Sequence, residues 1–334
     1  MGLVYCRLES GSAFFLPQRA NSLTTSGQTR VELRTESCGR GKTGFQWRSG
    51  PVLSLKIISM IGPLAYIGGK NRLAKQIIAR LPEHTTYVEP FAGGAQVFFH
   101  KEPSNVEVLN DLDFEIVNFF RVCQHHYEEF VRYLNYCLIS RRWYNLLAAE
   151  NPESLTDIQR AGRFYYLQKN SFGGLVLKQH YHYGVIQRPN YNLKRIPEII
   201  EAAHHRLQGV QVESLPYEQI LERYDRPTTL FYLDPPYWQR KLYKFNFSDQ
   251  DFESLNRRLR AIRGRFILSL DDHPEVRKLF AGWNLEPIQL SYTAQRKIGK
   301  RYAELLIMNF APHSQTASSV PTEPQNKLGG SSVE

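Results

Sequence analysis

From about residue 60 to residue 310, short apolar runs alternate with amphipathic segments. Runs of β-branched, aromatic and aliphatic residues predict strands at 85–91, 105–111, within 210–235, at 265–270 and at 303–310. Apolar positions at helical spacing predict helices near 69–81, one or two over 114–138, and one with a basic face at 249–262. Strands that alternate with helices are typical of an α/β fold with a mostly parallel sheet.

The pattern is absent at both ends of the chain. Residues 1–59 are rich in Ser, Thr, Gly and Arg, which predicts a disordered or non-native extension, or alternatively a basic DNA-binding arm, ahead of a domain at 60–310. Residues 311–334 are polar and Pro/Ser-rich, which predicts a disordered tail. Within the domain, 164–191 is dense in aromatic, glycine and basic residues without a clear period, and this indicates an inserted recognition module.

Composition narrows the class of protein. The formal net charge of +10 over 334 residues favours a polyanionic partner such as nucleic acid. Four cysteines without a CxxC pair indicate free thiols in a reducing compartment, hence a cytoplasmic protein, and no spacing of Cys or His indicates a metal site. The longest apolar stretch, 52–69, is interrupted by Lys56 and Pro63, so no membrane span is predicted.

The stretch FYLDPPYW, residues 231–238, places a carboxylate and two prolines directly after an apolar strand. Proline cannot continue a strand ladder, so the strand ends at Asp234, where open α/β sheets bind ligands. Asp234 can accept a hydrogen bond from an exocyclic amino group. A carbonyl held by Pro235 and Pro236 can accept a second, and Tyr237 can stack on a flat heterocycle. We therefore predict a site that directs the amino nitrogen of an aromatic base toward an electrophile.

A second turn has the features of a nucleotide-type site. In YVEPFAGGAQVFF, residues 87–99, a strand runs into Gly93 and Gly94, where the backbone can approach a ligand, and a helix N-terminus follows. Taken alone, this turn is weak evidence for a cofactor loop, because a plain tight turn is the more common explanation of such a sequence. The next strand ends at Asp111, roughly 20 residues after Glu89, and an acidic residue at that place suits the hydroxyls of a ribose.

Several segments occur together in one order: YIGGK (66–70), VEPFAGGAQVFF (88–99), NSFGGL (170–175) and DPPYW (234–238). In these, from residue 60 to about 310, the chain resembles the Dam-type adenine-specific DNA methyltransferases. The resemblance implies a Rossmann-like S-adenosylmethionine-dependent methyltransferase sheet with a mostly helical target-recognition region inserted at about 115–200. It implies methyl transfer to N6 of a flipped adenine in double-stranded DNA, by a cytoplasmic monomer without metal.

The resemblance also implies roles for particular residues. Tyr66 and Lys70 would contact S-adenosylmethionine, and Asp111 would hold its ribose hydroxyls. Asp234 would receive the target adenine beside the cofactor, and Tyr237 would stack on that base. The methionine and adenine parts of the cofactor would be lined by Glu89, Pro90 and Phe91.

One position departs from the family pattern. The family usually has an acidic residue followed by an aromatic residue after the third strand, where the acid accepts from the cofactor's adenine amino group. Here the pair is Pro216-Tyr217. Either Glu213 substitutes or this hydrogen bond is missing, so cofactor affinity is affected rather than reaction type.

Other reactions fit less well. Methylation at cytosine C5 needs a nucleophilic cysteine, usually in Pro-Cys, and the sequence contains no such dipeptide. N4-cytosine enzymes usually carry Ser before Pro-Pro, and RNA and protein-amide methyltransferases usually carry Asn, whereas Asp favours adenine in DNA. A catalytically silent DNA-binding protein is supported by the positive charge alone.

The inserted segment predicts the DNA contacts. Phe172 can wedge into the stack that a flipped adenine leaves. Enzymes that read GATC typically carry an asparagine after this aromatic residue and an arginine a few residues later, whereas here Gly173 and Gly174 follow and Leu177 aligns with the arginine. We therefore predict a recognised context other than GATC. Further candidates for base or phosphate contact are Lys169, Asn170, Lys178, Gln179 and Arg188.

Overall fold

The computed structural model describes residues 3–7, 13–17, 23–25, 28–30, 62–64, 66, 68–171, 180–182, 190–289 and 303–311. The chain divides into two compact units, Met1–Lys56 and Ile57–Glu334. In the first unit, β1 (Leu3–Arg7) pairs antiparallel with β2 (Ala13–Pro17), and β3 (Leu23–Thr25) with β4 (Gln28–Arg30). The sequence predicts no strands there. That residues 1–59 form a dispensable extension stays a prediction, and the predicted tail lies outside the described residues from 312 onward.

The second unit is built on a seven-stranded sheet in the order β10, β11, β9, β8, β5, β6, β7. Strands β5 to β9 run parallel, whereas β11 runs antiparallel to both neighbours, which confirms the predicted α/β fold. In chain order the strands are β5 (Thr86–Glu89), β6 (Val106–Asn110), β7 (Gln211–Glu213), β8 (Thr229–Leu233), β9 (Arg265–Asp271), β10 (Asn284–Gln289) and β11 (Ala303–Met308).

The strand order creates a crevice between β5 and β8. The chain continues from β5 to β6 on one side and later adds β8 on the other, and ligands bind at such switch points. Because these strands are parallel, their carboxyl ends, including Glu89, Asn110 and Leu233, lie at one edge of the sheet. The antiparallel β11 brings its amino end to the same edge, where Glu304 pairs with Asp271 of β9.

Strand β8 lies at the centre of the hydrophobic core. All five of its residues are buried, which explains its continuous apolar run. Leu230 and Tyr232 face one core cluster, and Phe231 and Leu233 face the other. The helices outside the insert are α1 (Ala74–Ile78), α2 (Gln96–His100), α8 (Tyr217–Tyr224), α9 (Asp249–Leu259) and α10 (Pro274–Leu279). Single 3-10 turns lie at Lys70–Arg72, before α1, and at Pro152–Ser154, within the insert. Across the described residues, no helix is both long enough and apolar enough to cross a membrane.

A helical insert lies between β6 and β7, as predicted. It contains α3 (Phe114–His125), α4 (Tyr127–Asn135), α5 (Arg141–Ala149), α6 (Asp157–Asn170) and α7 (Ile196–Leu207). One boundary differs from the sequence prediction, because the aromatic segment at 164–191 begins inside α6. Its Tyr165 is buried and stacks on Phe119 at 5.6 Å between ring centroids, so part of this aromatic density is helix-bundle core.

Candidate active site

A cavity of about 600 Å³ opens at the carboxyl edge of the sheet. Its volume falls within the roughly 300–1,000 Å³ of typical small-molecule sites. The sheet edge, the loop before α1 and the loops that follow β5, β6, β7 and β8 all contribute to it. Among the described residues, its walls are formed by Tyr66, 68–70, 89–97, 110–113, 215–218, Tyr232, Asp234, Pro236, 243–247 and Asp251.

The glycine turn after β5 forms one wall of the cavity. Gly93 adopts a left-handed φ of 48°, and a Cβ added to Gly94 would lie 3.1 Å from the Cβ of Tyr66. Gln96 fastens the turn to the preceding loop, since its Nε2 donates to the carbonyl of Leu64 at 2.9 Å. Glycine is therefore required here to leave room for Tyr66, which lines the cavity as the sequence predicts.

Asp111 connects the end of β6 to this turn. Its carboxylate accepts from the backbone N–H groups of Gly93 and Asp113, each at 2.8 Å. Burial raises the pKa of Asp111 to about 6, against the opposing effect of these hydrogen bonds. Asp111 therefore lies on the cavity wall with a fixed orientation.

Glu89 has a different environment from the one expected of a ligand-facing carboxylate. It is 2% exposed, and its Oε1 accepts from the Tyr87 hydroxyl at 2.7 Å and from the Phe98 N–H at 2.9 Å. Burial raises the pKa of Glu89 to about 8. The raised pKa favours the uncharged form of Glu89, which lines the cavity and connects β5 to α2.

Lys70 lines the cavity beside Asp234 and is 4% exposed. Its Nζ donates to Asp234 Oδ1 at 2.6 Å, to the Tyr237 hydroxyl at 2.6 Å and to the Gly68 carbonyl at 3.2 Å. An ammonium has three donors, so the protein itself occupies all of them. This arrangement favours Lys70 as a partner of Asp234 over the cofactor contact predicted from the sequence.

Glu304 is a residue of this cluster that the sequence analysis does not identify. Its Oε1 lies 3.3 Å from Lys70 Nζ and accepts from the Tyr237 hydroxyl at 2.7 Å and from Ser269 Oγ at 2.5 Å. Burial and the nearby Glu304 carboxylate together raise the pKa of Asp234 to about 6, against the lowering effect of Lys70. The Tyr237 hydroxyl is thus held inside the protein, while stacking of its ring on a base stays a prediction.

The opposite end of the cavity is aromatic. Phe91 packs 5.2 Å from Tyr217 and 5.6 Å from Phe247 between ring centroids. Glu213 does not substitute for the acid missing at Pro216, because its Oε1 accepts from the Tyr224 hydroxyl at 2.9 Å, away from the cavity-lining residues. The acidic side chains that line this end are Glu218 and Asp251.

The structure describes two of the predicted DNA contacts. Lys169, at the end of α6, is partly exposed, and burial lowers its pKa to about 8. Asn170 is 2% exposed and donates to the Tyr166 carbonyl at 2.9 Å, so its amide is packed inside the insert, and its contact with DNA stays a prediction. The remaining contacts lie outside the described residues: Phe172, Lys178, Gln179 and Arg188.

The sheet is that of an α/β fold, and the glycine turn, Asp234 and Pro236 line one cavity at its edge. Comparison with known proteins gives the family: the model of the D12 class N6 adenine-specific DNA methyltransferases matches residues 66–294. The chain belongs to this family and is an adenine-specific DNA methyltransferase.

Curated relatives show the same similarity at low identity. A type II methyltransferase, M.CviBI, from Paramecium bursaria Chlorella virus NC1A is 28% identical over 51% of this chain and 66% of its own length. The type II methyltransferase M1.LlaDCHI from Lactococcus lactis subsp. cremoris is 24% identical over 73% of this chain and 94% of its own. A DNA adenine methylase from Vibrio cholerae is 23% identical over 75% and 96%.

Proposed function

We propose that the protein transfers a methyl group from S-adenosylmethionine to N6 of an adenine flipped out of double-stranded DNA. The observation that carries this proposal is the position of Asp234. It lies at the end of β8 and opens on the same cavity as the Gly93–Gly94 turn and Asp111. An amino-group acceptor and a nucleotide-type site therefore share one space, as a direct transfer between two bound molecules requires.

The residues of the cavity suit S-adenosylmethionine. Gly93 and Gly94 keep the wall open, and Asp111 offers carboxylate oxygens to ribose hydroxyls. The Tyr232 hydroxyl is buried and, within the described residues, has no hydrogen-bond partner, although Tyr232 lines the cavity. Such a buried hydroxyl is satisfied when a polar ligand group binds. When bound, the cofactor supplies a methyl group on a positively charged sulfur.

Asp234 directs the target amine. Its Oδ1 is occupied by Lys70, which leaves Oδ2 to accept a hydrogen bond from the exocyclic N6 amino group. Lys70 also holds the Tyr237 hydroxyl at 2.6 Å, so that Asp234 and Tyr237 keep a fixed relation. Preorganisation of this kind lowers the barrier because the acceptor needs no rearrangement during the transfer.

The experiment compares wild type with Asp234→Ala and Asp272→Ala. Asp272 is the matched control, since it lies just beyond β9, pairs with Arg277 and is outside the cavity. The purified proteins receive radiolabelled S-adenosylmethionine and unmethylated DNA, and cofactor affinity is measured by calorimetry. We expect Asp234→Ala to lose methylation by roughly 100-fold or more with cofactor affinity within a few fold, and Asp272→Ala to remain active. Wild-type turnover by Asp234→Ala would refute the assignment.

A further inference from the structure

A second carboxylate, that of Glu304, lies close to Asp234 and shares Lys70 with it. Glu304 belongs to β11, is 9% exposed, and is held by the Ser269 hydroxyl at 2.5 Å and the Tyr237 hydroxyl at 2.7 Å. Its Oε1 also lies 3.3 Å from Lys70 Nζ, which is 2.6 Å from Asp234 Oδ1. The Lys70 ammonium therefore lies between two carboxylates, that of the buried Glu304 and that of the partly exposed Asp234.

This sharing changes what Lys70 does to Asp234. Burial alone would lower the pKa of Lys70, but Asp234 and Glu304 raise it well above its ordinary value, so the ammonium stays charged. A lysine paired with Asp234 alone would strongly favour the ionised carboxylate and make it a weak base. Glu304 interacts with the same ammonium and its negative charge opposes the effect of Lys70 on Asp234. The pKa of Asp234 is accordingly raised to about 6 by burial and by Glu304, against the lowering effect of Lys70.

We propose that Glu304 is a positioning residue that shares the Lys70 ammonium with Asp234, so that Asp234 remains basic enough to take the proton that N6 loses. The proposal rests on the function proposed above. In the transfer the bond from N6 to the methyl carbon forms while the bond from sulfur to that carbon breaks and sulfur keeps the electron pair. The amino nitrogen gains a positive charge and gives one proton to Asp234, which later releases it to water.

Other groups near Asp234 do not explain this effect. The Tyr232 hydroxyl and Tyr243 are neutral at working pH because burial raises the pKa of both phenols. Burial raises the pKa of Glu89 to about 8, which favours its uncharged form. The Arg240 guanidinium lies 5.4 Å from the centroid of the Tyr237 ring and 3.7 Å from Asp271. The groups that face Asp234 and its partners are thus Lys70, Glu304, Tyr237, Tyr232, Tyr243, Glu89, Arg240 and Asp271.

The test is the pH profile of single-turnover methylation of unmethylated DNA by the full chain. Glu304→Gln removes the charge while the amide oxygen can still accept from Tyr237 and Ser269. We expect the acid limb of the profile to move down by about one pH unit, since Lys70 then acts on Asp234 alone. The maximal rate should fall by roughly tenfold, because a weaker base accepts the proton less readily.

Two further variants separate charge from structure. Glu304→Asp keeps the charge and should leave the acid limb close to that of wild type even if the rate falls. Ser269→Ala removes a hydrogen-bond donor from Glu304, which should then interact more strongly with Lys70. Lys70 would stabilise ionised Asp234 less, so the acid limb should move to higher pH. Glu286→Gln on the neighbouring β10, paired with Arg80 outside the cavity, is the control and should change neither limb nor rate.

A rate loss in Glu304→Gln with an unmoved acid limb would show a merely structural role and overturn the proposal. If Glu304→Gln does not fold, the Ser269→Ala variant decides: an acid limb that moves to lower pH, or does not move, overturns the proposal. Failure of the wild type to methylate DNA at all would refute the proposed function, whereas an active wild type with an unmoved limb refutes the role of Glu304 alone.

Discussion

Replacement of Lys70 by methionine tests the buried charge cluster most sharply. Methionine keeps the length of the side chain but removes the ammonium that lies 2.6 Å from Asp234 and 3.3 Å from Glu304. Removal of one partner from a buried ion pair costs about 3–5 kcal/mol, because the remaining carboxylates lose their compensation. We expect a loss of this size in the free energy of unfolding at pH 8, together with loss of methyl transfer.

The pH dependence of this loss follows from the pKa of Asp234. Burial already raises it to about 6 in the folded wild type, above the ordinary value of 3.8, so ionisation of Asp234 lowers wild-type stability as pH rises from about 4 to 6. Without Lys70 the folded pKa rises further, and stability continues to fall above pH 6. The gap between wild type and Lys70→Met should therefore widen above pH 6, by about 1.4 kcal/mol for each additional pKa unit.

Urea unfolding at pH 5 and pH 8 measures the loss of stability, and a methylation assay with S-adenosylmethionine and unmethylated DNA measures the loss of methyl transfer. Lys101→Met is the matched control, because Lys101 is equally buried and pairs with Glu107 at 2.6 Å outside the cavity. It should destabilise less, since Arg206 still pairs with Glu107, and it should leave methylation by the folded fraction unchanged. A stability gap that is equal at both pH values, or methylation by Lys70→Met at the wild-type rate, would refute the reasoning.

Three further predictions concern the cavity wall and the recognised sequence. Because burial raises the pKa of Glu89 to about 8, its protonated form stabilises the fold at low pH and this advantage is lost between about pH 4.5 and 8. Glu89→Gln cannot ionise, so its stability should match that of wild type near pH 4.5 and exceed it by roughly 3 kcal/mol at pH 7 in urea unfolding. Gly93→Ala should lower the free energy of unfolding by about 1–2 kcal/mol, because φ at this position is 48°. It should also weaken cofactor binding, measured by calorimetry, because the new Cβ would lie 3.3 Å from the Tyr66 ring. Gly209→Ala is the control: its φ is 76° and its Cβ would enter open space, so it should lower stability without weakening cofactor binding. Methylation should not be confined to GATC, because two glycines follow Phe172, and a modified-base map confined to GATC would contradict this.

Local sequence determines those parts of the fold whose signals are local. The run at 229–233 followed by Pro235 and Pro236 predicts both the end of β8 and the exposure of Asp234, because proline stops a strand wherever the strand lies. The position of Asp111 follows in the same way from the end of β6. Parallel pairing then brings both carboxylates to one edge, which is why the cavity can be anticipated without coordinates.

Other features depend on contacts between distant segments. Glu304 reaches Lys70 only because β11 reverses direction beside β9, and no apolar pattern within 303–310 reveals that reversal. The end of β5 predicts Glu89 as an acid that faces a ligand, but the sequence does not show that its Oε1 accepts hydrogen bonds from Tyr87 and Phe98 in the core. Glu213 likewise bonds with Tyr224, a partner that sequence spacing does not identify.

The most direct test of the account is the identity of the modified base. Purified protein is incubated with S-adenosylmethionine and unmethylated DNA, which is then digested to nucleosides and analysed by mass spectrometry. The account predicts N6-methyladenine that depends on S-adenosylmethionine and disappears in Asp234→Ala. Appearance of N4-methylcytosine instead, or of no methylated base with the folded wild type, would contradict it.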